Sequence, residues 1–159
     1  MIIVRPKNYF IVAGHAEGYT QLNAFDNAIM KAGVGDTNLI RLSSILPPAS
    51  IRIQPVELPY GALIPIAYAY KMSSELGEII ASAVAIAIPV DDSLPGLIME
   101  HSNAVSAKSA EEKVREMARQ GFLERKRELK EIISISTEHT VQTHGASFAG
   151  VVLWDDEIQ

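Results

Sequence analysis

The 159-residue sequence has no cysteine, a single tryptophan and only 6% aromatic residues. Without cysteine there can be no disulfide and none of the common thiol-based zinc or redox motifs, which accords with a reducing compartment and makes the cytoplasm the expected location. Positive charge is not in excess either. Fourteen Lys and Arg against 19 Asp and Glu leave a net charge of -5, the wrong sign for a phosphate-backbone footprint, so nucleic acid is not an expected partner. Long hydrophobic runs are also missing. The longest, Ile79 to Pro89, is about half of the roughly 20 residues a membrane helix needs. The short run in MIIVRPKNYF is broken by Arg5, Pro6 and Lys7 and lacks the small-residue cleavage site of a signal peptide, so no membrane partner is expected. No GxSxG elbow exists, and GVGD at 33–36 lacks the strand-before, helix-after setting of a nucleotide loop. His139 and His144 are five apart without a third ligand nearby, so no metal is expected; His15 and His101 read as isolated surface or edge residues.

What is present is an ordinary globular balance, 48% hydrophobic and 21% charged, which predicts one domain over residues 1–159. Tyr9 to Ala13 reads as a strand, followed by a helix that Thr20 caps and Gly33 stops. Thr37 to Ile45 reads as a second strand, and Pro47, Pro48, Pro55 and Pro59 force an extended loop after it. Ala62 to Met72, Glu78 to Pro89 and Leu97 to Ala104 follow as strands. In the second of these, Ile80, Val84, Ile86 and Ile88 share one face and four alanines the other, so both faces are expected to be buried. An amphipathic helix carries Ala110, Val114, Met117, Ala118 and Gly121 on one stripe, with Ser109 and Glu112 resembling a capping box. Strands at Leu129 to Thr137 and Ala146 to Trp154 flank the polar EHTVQTHG turn. Strands mixed with two long helices indicate an α/β or α+β layered sandwich, with two sheets inside and the helices outside.

Three places could carry chemistry. Asp26 falls by helical spacing between Leu22, Ile29, Met30 and Gly33, inside the apolar stripe, where a carboxylate is costly unless paired. It reads either as half of a buried structural ion pair or as a pocket for a cationic ligand. Glu100, in GLIMEH, shares a strand face with Ile98 and Ser102. Burial there would keep it protonated, as a general acid requires, although a strand-end glutamate reaching solvent fits the same pattern. Ser43-Ser44 ends an apolar run at a Pro-Pro stop; alone it is a weak signal, since Ser73-Ser74 also occurs.

Together, LNAFDNAI, AGVGDTNLIRLSSILPP, LPYGALIPIAYAY and GLIMEHS resemble, in order, the pyruvoyl-dependent arginine decarboxylase family, from about Tyr9 to Trp154. The resemblance implies a four-layer α-β-β-α sandwich of mainly antiparallel sheets, built of self-cleaved protomers that assemble as trimers with sites between neighbours. It implies cleavage at a strained turn between Ser43 and Ser44, giving a small subunit 1–43 and a large one 44–159. Ser44 becomes a covalent pyruvoyl group, without pyridoxal phosphate or metal. Arginine would be converted to agmatine and CO2 through a Schiff base on that group, Glu100 acting as general acid. Asn38 would assist self-processing. Asp26 would receive the substrate guanidinium, with Leu22 and Gly35 lining the same pocket. The same chemistry on another amino-acid substrate such as S-adenosylmethionine, or a non-catalytic trimeric module whose serines never process, are the alternatives.

Overall fold

Alternating apolar residues give this chain two sheets that must each bury both faces, and the helices supply the outer cover. The computed structural model describes residues 4–156; Met1 to Ile3, where the N-terminal apolar run begins, lie outside them. In chain order the elements are β1 (Asn8–Glu17), α1 (Gln21–Lys31), β2 (Asn38–Arg41), β3 (Ile45–Leu46), β4 (Ile51–Arg52), β5 (Leu63–Ser73), β6 (Ile79–Pro89), β7 (Gly96–Asn103), α2 (Ala107–Glu124), β8 (Leu129–Thr140) and β9 (Gly145–Trp154). One sheet has the order β2-β5-β9-β1-β4 and the other β3-β7-β6-β8. The short edge pairs β1–β4 and β2–β5 are parallel and the long pairs antiparallel.

Three apolar layers separate four layers of structure, so the α+β sandwich with outer helices is the fold observed. Ala24, Ala28 and Ile29 of α1 pack on Phe10, Ile64, Ile66 and Phe148 of the five-stranded sheet. Ala67, Ala149 and Val151 meet Val84, Ile86 and Ile98 between the sheets. Ala81, Ala83, Ala85 and Ala87 lie under Ala110, Val114, Ala118 and Phe122 of α2. Small residues set the close spacing of helix and sheet: a Cβ on Gly14 of β1 would stand 2.4 Å from the Ala28 carbonyl, and one on Gly121 2.1 Å from a Leu97 methyl.

The ends of α1 follow the expectation. The Thr20 hydroxyl accepts the Asn23 N–H, and Gly33 at φ 83° lets its own N–H and that of Val34 close back on Met30 and Ile29. At α2 the expected capping box gives way to a cap one turn earlier: Ser106, not Ser109, holds the first turn, by accepting the Ser109 N–H. The supposed single strand Thr37 to Ile45 is two strands in different sheets, β2 and β3. The final hairpin is longer than expected, β8 running to Thr140.

Candidate active site

The break between β2 and β3 places the serines. Leu42 N–H still bonds the Ile66 carbonyl of β5 at 2.9 Å, continuing the ladder of the five-stranded sheet. Two residues later the Ser44 carbonyl accepts the Ile98 N–H of β7 at 2.7 Å, and Ile45 pairs with Leu97 in the other sheet. Ser43, exposed, and Ser44, half-buried, are therefore the step by which the chain changes sheets. Among the described residues the left-handed non-glycine positions are Ala49 and Lys126, so the strain expected at this turn is not of that kind. A change of sheet marks the pair instead.

β7 brings Glu100 to this crossover. Strand alternation puts it on the face of Ile98, which points between the sheets. Its Oε1 accepts a bond from Arg41 Nη2 at 2.9 Å, while Oε2 is buried and has no hydrogen-bond partner among the described residues. Burial pushes the Glu100 carboxyl above the ordinary glutamate value, and the Arg41 hydrogen bond and charge oppose the rise without cancelling it. Arg41, the last residue of β2, also donates to the Tyr68 carbonyl at 2.9 Å and lies 4.7 Å from the centre of the Tyr68 ring. A hollow of about 350 Å³ opens here, lined by Arg41, Ala69, Tyr70, Glu100, His101 and Ser102. A half-buried carboxyl with a raised pKa, one oxygen pinned and the other unpartnered among the described residues, has the character of a general acid.

The other expected site residues lie elsewhere in the chain. Asn38 opens β2, and its Nδ2 donates to the Gly61 carbonyl at 3.0 Å. At about 3.3 Å per residue, roughly 10 Å of strand separates it from Arg41 alone. Asp26 is exposed, not inside the buried stripe. The stripe that packs is Ala24, Ala28 and Ile29, with Phe25 alongside, whereas Leu22 and Met30 stand on the exposed side with Asp26. The large apolar side chains Leu22 and Met30 do not mark the core face, because the close approach of α1 to Gly14 of β1 favours the small residue Ala28 there. Gly35 adjoins this exposed row, since a Cβ on it would collide with the Met30 side chain. α1 packs on β1, β5 and β9, so the five-stranded sheet lies between Asp26 and Glu100. The expected site is therefore split into two half-sites, Ser44 with Glu100 and Asp26 with Leu22 and Gly35, on opposite sides of the five-stranded sheet. Arg41 was the residue that the motif contained and sequence reasoning left without a role; a lone cation three positions before the serine and on the way to a lone strand acid was its signal.

The histidines are less isolated than expected. His139 Nε2 donates to Glu17 Oε2 at 2.5 Å, and its Nδ1 lies 2.9 Å from His15 Nδ1. Glu17 Oε1 accepts the N–H groups of Gln142, Thr143 and His144 in the β8–β9 turn. His144 is bonded to Ser74. Among the described residues no cluster of three or more His, Asp or Glu is arranged to hold a metal ion.

Sequence comparison gives the class, a decarboxylase that depends on a pyruvoyl group. The family model of pyruvoyl-dependent arginine decarboxylase matches residues 8–157. Relatives of that name include the protein of Methanocaldococcus jannaschii, 51% identical over 94% of this chain and 90% of its own length. The Methanococcus maripaludis protein is 45% identical over 94% and 91%, and that of Pyrococcus abyssi 40% identical over 94% and 96%. This chain belongs to the pyruvoyl-dependent arginine decarboxylase family.

Proposed function

We propose that the chain cleaves itself between Ser43 and Ser44 and then decarboxylates L-arginine to agmatine and CO2. The observation that carries the reading is Glu100, a carboxyl with a buried, partnerless oxygen on the strand that binds the Ser44 carbonyl. In maturation the Ser44 hydroxyl attacks the Ser43 carbonyl carbon, the peptide C–N bond breaks, and an ester replaces it. Elimination then breaks the Ser44 Cβ–O bond with loss of the Cα proton, leaving a carboxylate on Ser43. One water replaces the Ser44 nitrogen, which leaves as ammonia; no oxidant is consumed. The products are residues 1–43 and residues 44–159.

Residue 44 fits a pyruvoyl group, because its carbonyl is already fixed by Ile98 N–H and the adjoining hollow leaves room for a small substrate. That group, once formed, supplies an electrophilic carbonyl for the substrate amine and a sink for the electrons freed as CO2 leaves. Glu100 supplies the proton for the carbon left behind, its Oε2 being the oxygen free to hold it. Asp26 takes the guanidinium in a two-pronged pair, with Leu22 and Gly35 along the substrate. Asn38 assists the cleavage step.

The two half-sites meet when a second copy lays its α1 beside the first copy's crossover, which supports a homotrimer with sites between neighbours. Exposed apolar Ile40, Ile45 and Leu63 beside the crossover offer surface for that contact. No described helix is long and apolar enough to cross a membrane, and the absence of cysteine fits the cytoplasm.

Intact mass spectrometry of the denatured protein, paired with CO2 release from labelled arginine, tests the reading. The expected result is two fragments divided after Ser43, the larger lighter by one ammonia than its serine form, together with agmatine as product. A single stable chain without turnover would overturn it.

A further inference from the structure

β5 runs to Ser73, but β2 accompanies it only from Leu63 to Ile66. Beyond that point the open edge of β5 is satisfied by side chains. The Tyr68 carbonyl accepts from Arg41, and the Tyr70 carbonyl from the Ser102 hydroxyl at 2.7 Å. Arg41 is thus fixed by a carbonyl and by the face of an aromatic ring, independently of Glu100. Both its bonds come from Nη2, and a guanidinium carries five N–H donors in a planar fork, so capacity remains for a second carboxylate. Ser43 lies two residues further along the same chain, and Ser44 is bound two residues from Glu100 on β7.

Self-cleavage adds one negative charge at this spot, the carboxylate of Ser43. We propose that Arg41 is a positioning residue shared by two carboxylates in turn, pairing with Glu100 in the continuous chain and with the Ser43 carboxylate after cleavage. The inference rests on the self-processing reading above. One guanidinium then faces two carboxylates, and the two differ in solvation. Ser43 is exposed and its carboxylate is stabilised by water, while Glu100 has one oxygen buried without a partner. The proton therefore goes to Glu100, both because its counterion is drawn away and because a like charge has appeared beside it. Maturation in this way creates the electrophile and strengthens the acid's hold on its proton in one event.

The other groups around Glu100 are few. Tyr68 and Tyr70 come from β5 and His101 from β7 itself, all lining or bordering the hollow, and Val84 is its uncharged partner on β6. Burial and, to a lesser degree, Lys113 lower the His101 ring below the ordinary histidine value, away from its charged form.

The test is a ¹³C NMR titration of side-chain-labelled glutamate in three proteins: the processed wild type, the uncleaved Ser44→Ala variant and Arg41→Gln. Glu100→Gln in each background assigns the signal. The Glu100 midpoint is expected to lie about one pH unit or more higher in the processed protein than in Ser44→Ala. Arg41→Gln should raise it whether or not the chain has cleaved, and Arg41→Lys should restore most of the difference. In turnover, the alkaline limb of the kcat/KM profile should move up in Arg41→Gln. Equal midpoints in wild type and Ser44→Ala, with mass spectrometry showing the wild type cleaved, would overturn the inference and leave the decarboxylase reading intact. An uncleaved wild type would instead sink the reading. Should Arg41→Gln fail to fold, the wild type and Ser44→Ala pair decides alone.

Discussion

Glu17 and Glu100 sit in two contrasting regions of one sandwich, and they are driven in opposite directions. Glu17 is enclosed by donors: three turn N–H groups on one oxygen and His139 on the other. Burial alone would raise its pKa, but the Thr143 N–H, the His139 ring and the Gln142 N–H outweigh it and hold the carboxyl below the usual glutamate value. At Glu100 the Arg41 hydrogen bond and charge, with a lesser contribution from the Tyr68 backbone, oppose burial, and burial prevails. The same side chain is shifted toward its ionised form in one place and toward its protonated form in the other. The difference lies in how many donors converge on the carboxyl, several in the closed turn and fewer at the sheet crossover.

Breaking the crossover itself should have the largest effect. Ser44→Ala is expected to leave a folded single chain without decarboxylase activity, read by intact mass and CO2 release. Glu100→Gln should still divide into two fragments while losing roughly 10²- to 10⁴-fold in kcat, the usual span for a lost general acid. A normal rate in that variant would remove Glu100 from its role. Asp26 is a third kind of acid, exposed on α1, and the proposed cation for it comes from the substrate. Asp26→Ala should lower kcat/KM for arginine roughly tenfold to a hundredfold, as loss of a charged hydrogen bond does, and leave cleavage untouched.

The smallest effect on turnover should come from the other region. Glu17→Ala leaves three turn N–H groups short of an acceptor and should cost about 1–3 kcal/mol of stability in denaturant titration, with the activity of the folded fraction retained. The pH dependence has a definite sign. A carboxyl whose folded pKa is depressed contributes stability that is fully present above its unfolded value, near 4.3, and that is lost as pH falls through the folded value. Wild-type stability should thus decline below about pH 4, and Glu17→Gln should flatten that decline.

Much of this was legible along the chain. The alternating Ile79 to Pro89 segment announced a strand buried on both faces, and its alanines announced a closely packed helix, as observed with α2. GLIMEH placed Glu100 among apolar neighbours, and the structure found it half-buried. Asp26 misled, because helical spacing says which residues share a face but not which face is covered. Gly14 and the alanines of α1 decide that through close approach to β1. Arg41 was overlooked because its partner lies 59 positions away on another sheet.

Local pattern alone determined the long strands, the Thr20 and Gly33 ends of α1, and the motif that marks the family, since these depend on periodicity and backbone preference within a few residues. Only the tertiary structure decided that the serine pair is a change of sheet, that Arg41 meets Glu100, and that Asp26 faces away from both. The physical reason is range: hydrogen-bond register across sheets, desolvation of a carboxyl and the choice of which helix face is buried are set by residues distant in sequence. Those contacts exist only once the layers have packed.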